Sequence, residues 1–221
     1  YNKIVIMMKQ KFAKKLVEFT YLFIIGCLLG YIFEVTYFII KNGYFFNKKG
    51  MLYGPFKPIY GFGVILITII FKPYEKKGFW FKYLMGCLIG TVFEYIGSYL
   101  SEIILGIATW DYSHYKYSLN GRVYLPYCFI WGFITYFWMD YAYPFIINTL
   151  AKINRKLYNI IGYILFGFML FNFGLGLIVC DRAYERAKSI SAENFVDRLI
   201  DKYFPYDVVR KRLPQLNVVR D

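Results

Sequence analysis

Two glutamates end two copies of one nine-residue phrase. GCLLGYIFE runs over Gly26–Glu34 and GCLIGTVFE over Gly86–Glu94, sixty residues later, with six of nine positions shared. Each copy sits inside a long apolar run. An acidic side chain at the centre of a bilayer costs roughly 2.5–3.5 kcal/mol, and such residues are usually paired or functional. Glu34 falls near the end of its run and Glu94 near the middle of its own. The chemistry open to them is proton uptake, recognition of a polar or headgroup-bearing substrate, or acid–base work on a lipid-linked one. Arg122 opens a later apolar run on the same side. It is the expected cation, paired with Glu34 or Glu94, and a purely structural Glu–Arg bridge would use the same residues.

On a helix, residues four apart share a face. Gly26, Gly30 and Glu34 therefore form one stripe, and Gly86, Gly90 and Glu94 another. Small-xxx-small stripes let helices approach closely in lipid, so each carboxylate is aimed at a helix–helix contact. The helices that must carry these stripes are apolar runs at about Val17–Ile40, Pro58–Phe71, Phe79–Ile107, Val123–Leu150 and Leu157–Cys180. The last has no formal charge over a length that exceeds the ~20 residues needed to span a bilayer. The second is short and needs bilayer thinning, snorkelling or a re-entrant approach, and Asp140 with Pro144 interrupts the fourth.

The expected fold is an all-α polytopic membrane protein of about five transmembrane helices. A basic cytoplasmic N-terminus (1–16) precedes a membrane domain (17–180), followed by an amphipathic charged tail (181–221). The membrane domain divides into two parallel two-helix repeats, 17–72 and 79–150, plus a fifth span at 157–180. Two spans per unit preserve orientation, so the repeats are expected to be related by an axis along the membrane normal.

The chain is 58% hydrophobic, above the ~45–50% of soluble domains, which makes the lipid bilayer its expected partner. Its net charge of +13 gathers between the apolar runs, as beside anionic headgroups, and no nucleic-acid partner is expected. The short connections place more Lys and Arg on the amino-terminal side, which is therefore read as inside. The basic tail counts against that orientation. No removable signal peptide is expected, because the first apolar run is too long and has no small-x-small site. Cys27, Cys87, Cys128 and Cys180 fall in or beside spans without a C-x-x-C pair, so packing is expected and no metal site. No cofactor is expected either.

Two connections are too specific for plain linkers: MLYGPFKPIYGFG (Met51–Gly63) and WDYSHYKYSLNGR (Trp110–Arg122). Irregular backbone at membrane depth survives only where protein or water surrounds it. With LGYIFEVTYFIIKNGYFFNKKG, FEYIGSYLSE and LNGRVYL, these stretches resemble the CmpB-type ABC transporter permease family, also called ABC-transporter type IV. The resemblance covers about Phe19–Leu150 and departs at Lys48-Lys49. It implies a permease-like role in the cell membrane, multi-pass, with a separate ATPase subunit or other membrane partner, since no G-x-x-x-x-G-K-[ST] loop is present. The expected substrate-binding residues are Glu34, Glu94, Arg122, Asp111, Asn120, Trp110, Tyr112, Asn47, Tyr53 and Tyr60, lining a polar cavity for a small or lipid-headgroup substrate. A membrane enzyme acting on a lipid-linked substrate, or a scaffold or assembly factor, would fit the same residues. Catalytic residues and the question of enzymatic activity stay open.

Overall fold

The computed structural model describes residues 2–105, 107–108, 110–214 and 217–218. Residue 106 of the expected third span, and 215–216 and 219–221 of the expected tail, lie outside the described residues. The chain is predominantly helical. Helix α1 (Asn2–Asn42) is continuous over 41 residues, about 60 Å at 1.5 Å per residue, so the basic N-terminal stretch and the first apolar run form one rod.

Helix α2 (Pro58–Phe71) has 14 residues, about 21 Å. Proline at its first position is pre-set in φ and lacks only an N–H that would have no helical partner. The preceding backbone explains how so short a helix fits. Lys57 N–H donates to the Cys27 carbonyl at 3.2 Å, and Cys27 lies fifteen residues before the end of α1, about 22 Å back along its axis. The connection 43–57 therefore runs back along α1, and α2 starts partway down.

Helix α3 (Phe79–Leu105) follows a short 3-10 turn, and α4 (Leu125–Phe137) pairs with it as α2 pairs with α1. Between α4 and α5 (Tyr143–Leu150) lies a π-helical turn, Trp138–Ala142. Pro144 accounts for it. Proline cannot donate to the carbonyl of Asp140 and its ring crowds that group, so the Tyr143 N–H reaches back to Trp138 instead. Helix α6 (Arg155–Ala187) is capped by Asn154, whose side chain accepts from the Lys156 and Leu157 N–H groups, and it packs on α1.

The tail forms α7 (Phe195–Tyr203), opened by an Asn194–Asp197 capping box, and α8 (Tyr206–Arg212). Four short strands complete the described elements. Strand β1 (Ile107–Ala108) pairs antiparallel with β4 (Asn217–Val218), and β2 (Ser118–Leu119) with β3 (Val123–Tyr124). The tail thus touches the connection before α4.

Close approach of the helices follows the glycine stripes. A Cβ at Gly30 would lie 2.2 Å from the Tyr60 ring, and one at Gly90 would lie 2.4 Å from Trp131. Gly61 likewise leaves room for Cys27, and Gly132 for Cys87, each with its sulfur 2.6 Å from where a Cβ would stand. One core gathers Leu22, Val64, Ile67, Phe71, Trp131 and Trp138 where the two hairpins meet. Many large apolar side chains remain outward, among them Ile32, Leu84, Leu88, Phe133, Ile164 and Phe171. Three helical stretches, Ile4–Asn42, Phe79–Ile103 and Arg155–Ala187, are long and apolar enough to cross a membrane, and an outward apolar surface of this extent is what lipid covers.

Candidate functional site

Glu34 and Glu94 end their glycine stripes and meet the same kind of partner. The side chain of Tyr60 rests on Gly30 and feels the charge of Glu34. Trp131, which rests on Gly90, donates its Nε1–H to Glu94 at 3.0 Å. The two rings are stacked, with centroids 6.3 Å apart. Each glycine stripe is therefore covered by an aromatic side chain from the neighbouring helix, and the two rings face each other. Both charges act on the Tyr60 hydroxyl and on that of Tyr112.

The partners diverge beyond that point. Glu34 has a cation, Lys57 Nζ at 2.8 Å, and its side chain is 25% exposed. Glu94 is 7% exposed, and among the described residues no cation lies within ion-pairing distance. Its second donor is the Tyr112 hydroxyl at 3.3 Å. Burial first, and then the Glu94 charge, holds that phenol well above its ordinary range, which keeps it a neutral donor. A buried carboxylate served only by neutral donors must carry a proton or face a cationic group to settle its charge.

The connection Trp110–Arg122 delivers Tyr112. Asn120 and Gly121 both have positive φ, 52° and 67°, the combination a type I′ turn requires. A side chain at Gly121 would also strike Asp111, whose Oδ1 lies 2.8 Å from the ideal Cβ. Tyr112 N–H donates to the Gly121 carbonyl at 2.7 Å, and Trp110 Nε1 donates to the Arg122 carbonyl at 2.8 Å. Asp111 accepts from the Ser113 N–H and hydroxyl, and these bonds hold its carboxyl below the usual range. Asp111 and Trp110 therefore shape the turn. The Asn120 amide donates to the Tyr95 hydroxyl at 3.0 Å.

Arg122 corrects the expected pairing. Its guanidinium binds Glu102, donates to Ser98 Oγ at 3.3 Å, and covers the Tyr99 ring. The Asn120–Gly121 turn aims it along α3 at positions 98, 99 and 102, one to two turns beyond Glu94. Glu34 is meanwhile occupied by Lys57. Asn47 and Tyr53 also stand apart from the carboxylates. Asn47 Oδ1 accepts from the Lys49 N–H within its own turn. The Tyr53 backbone is clamped by Asn172 of α6, whose amide accepts from the Tyr53 N–H at 3.1 Å and donates to its carbonyl at 2.7 Å.

Of the ten expected residues, the structure joins Glu34, Glu94, Tyr60 and Tyr112. It adds Lys57 and Trp131, which sequence reasoning passed over. A usable signal exists. Tyr53–Gly61 and Tyr124–Gly132 share Tyr-x-Pro-x-x-x-Ile-(Tyr/Trp)-Gly, aligning Tyr60 with Trp131 and Lys57 with Cys128. Also unforeseen is an ion pair at the opposite end of α3, where the buried Lys82 Nζ contacts both Asp140 oxygens at 2.8 Å and the Glu75 carbonyl at 2.7 Å.

Among the described residues no group of three or more His, Cys, Asp or Glu is placed to hold a metal ion. An apolar cleft of about 230 Å3 lies between α1, α2 and α6, lined by Phe19, Phe23, Phe62 and Met169 among others, and contains neither carboxylate. Residues 21–177 match the sequence family described as "Putative ABC-transporter type IV". Comparison with curated proteins and with solved structures gives no match.

Proposed function

Because the chain belongs to the ABC-transporter type IV family, matched over residues 21–177, we propose that it is a multi-pass, permease-like protein of the cell membrane. In this reading α1, α2 with its re-entrant approach, α3, the α4–α5 unit and α6 make five spans. The α1–α2 and α3–α4 hairpins are parallel repeats about an axis along the membrane normal. The substrate, a small molecule or lipid headgroup, is handled where Glu34, Glu94, Tyr60 and Tyr112 converge. A separate ATPase subunit supplies the energy, since this sequence contains no phosphate-binding P-loop motif.

The observation that carries the proposal is Glu94, a buried carboxylate held by an indole and a phenol beside a second carboxylate that has its own lysine. A structural carboxylate at such a place needs a cation, and Glu34 has one. Glu94 keeps its charge available for a proton or for a substrate's positive group. The test is uptake and binding by the protein, reconstituted with its ATPase, of headgroup compounds such as choline, ethanolamine and serine. Glu94→Gln keeps the side-chain volume and removes the charge. The wild-type protein should take up at least one compound, and the variant should lose uptake at unchanged thermal stability. Equal uptake by the Glu34→Gln/Glu94→Gln double variant would reject the site.

A further inference from the structure

Loop 43–57 and α8 are far apart in sequence and meet at one end of the helices. Leu52 is buried with Val209 and Leu213 in a single apolar cluster. The Arg212 guanidinium covers the Tyr53 ring, 4.8 Å from its centroid, and borders Phe204. Tyr53 is itself fixed to Asn172. Lys49 belongs to the same loop, and burial first, then the charges of Arg212 and Lys211, lower it below its ordinary value. None of the three has an ion-pair partner among the described residues. Tertiary packing has brought like charges together from two segments.

We infer that Lys49, Lys211 and Arg212 form a binding site for a phosphate-type oxyanion, presented by an anionic lipid headgroup. Lysine and arginine are the phosphate-binding side chains, with the guanidinium suited to bidentate contact. The surroundings favour a headgroup over a soluble ion. The same two segments expose Tyr44, Phe45 and Tyr206, and aromatic side chains beside basic ones mark the headgroup level of a bilayer. Lys48 lies over the Phe38 and Phe46 rings, its stem along apolar surface, as a snorkelling lysine does. The site is separate from the carboxylates of the proposed function and stands without them.

The test uses the full chain in nanodiscs of phosphatidylcholine with or without phosphatidylglycerol, and in detergent with inorganic phosphate. Bound phospholipid is counted by native mass spectrometry and phosphate affinity by calorimetry. Lys49→Gln/Lys211→Gln removes two charges and leaves Arg212 on Tyr53, so the tail stays docked. Lys9→Gln/Lys11→Gln removes equal charge from the exposed start of α1 as the control. At about 1 kcal/mol per basic contact, the first variant should bind phosphatidylglycerol roughly 30-fold more weakly, with the control unchanged. Weakened binding of inorganic phosphate alone would identify the same site with a free anion as its ligand. Equal behaviour of variant and control toward both ligands would overturn the inference.

Discussion

The Lys82–Asp140 pair gives the sharpest energetic test of this fold. Lys82 is 1% exposed and its ammonium is filled by two carboxylate oxygens and one carbonyl, whereas the Asp140 side chain is 32% exposed. The partners are therefore unequal. Asp140→Leu strands a buried cation, the situation that costs about 3–5 kcal/mol. Water reaching the Asp140 side favours the lower figure, about 3 kcal/mol, or roughly 150-fold in the folding constant. Lys82→Met strands only a carboxylate that water already touches, so its cost should be smaller, about 1 kcal/mol. Replacing both removes the desolvation problem, and a buried pair exchanged for apolar residues is often neutral or better. Lys82→Met/Asp140→Leu should therefore recover to within about 1 kcal/mol of the wild type. The assay is reversible unfolding in mixed micelles with rising dodecyl sulfate, read by tryptophan fluorescence. In a thermal scan the Asp140→Leu loss corresponds to a fall of roughly 6–12 °C for a chain of this size. A double variant as unstable as Asp140→Leu would refute the reasoning, as would a single loss below about 1 kcal/mol.

Gly90→Ala drives a methyl into Trp131 and should destabilise by about 1–3 kcal/mol, while Gly167→Ala faces open space and should be neutral or gain up to ~1 kcal/mol; the same unfolding assay compares them. Gly121→Ala meets both a positive φ and Asp111, and should loosen the turn that carries Tyr112, seen as faster hydrogen exchange across 110–122. The Arg182 guanidinium, assisted by Arg186, holds the Asp201 carboxyl below its ordinary value. A depressed carboxyl contributes its stability above the unfolded pKa of about 3.9 and loses it as pH falls through the lower folded value. Exchange protection of α7 should therefore be flat from pH 7 to 5 and fall below about pH 4; a fall centred near neutrality would remove Asp201 as the cause.

The sequence made some features legible because they depend on local spacing. The four-residue glycine rows read as contact surfaces, and the structure sets Tyr60 and Trp131 against them. The apolar runs in α1, α3 and α6 stood out by length alone. What stayed hidden depends on where distant segments meet. Arg122 lies at the mouth of an apolar run like a partner for Glu94, but the turn before it decides its aim, and that turn delivers it to Glu102. Lys57 reads as the boundary of a short span because the backward run of 43–57 shows only once the backbone bond to Cys27 is seen. The Tyr-x-Pro-x-x-x-Ile-(Tyr/Trp)-Gly agreement was readable, but one copy has Tyr where the other has Trp. The tail reads as an amphipathic surface helix. Its apolar residues Ile200 and Phe204 close instead on Leu52, Val179 and Cys180, and Arg182 with Asp201 fastens it to α6.

The Asn172 clamp on Tyr53 also sets a clock on biogenesis. It joins positions 119 residues apart, and the cluster that seals Leu52 needs residues as late as Leu213. At 5–20 residues per second, ribosomal synthesis from Tyr53 to Asn172 takes roughly 6–24 s. For that interval the Tyr53 amide and carbonyl have no mate of their own, and hydrocarbon cannot provide one. The backward-running loop must therefore wait in water or in the insertion machinery, and α1 with α2 cannot mature as a finished pair before α6 arrives. Assembly of the first hairpin is governed by a helix made more than a hundred residues later.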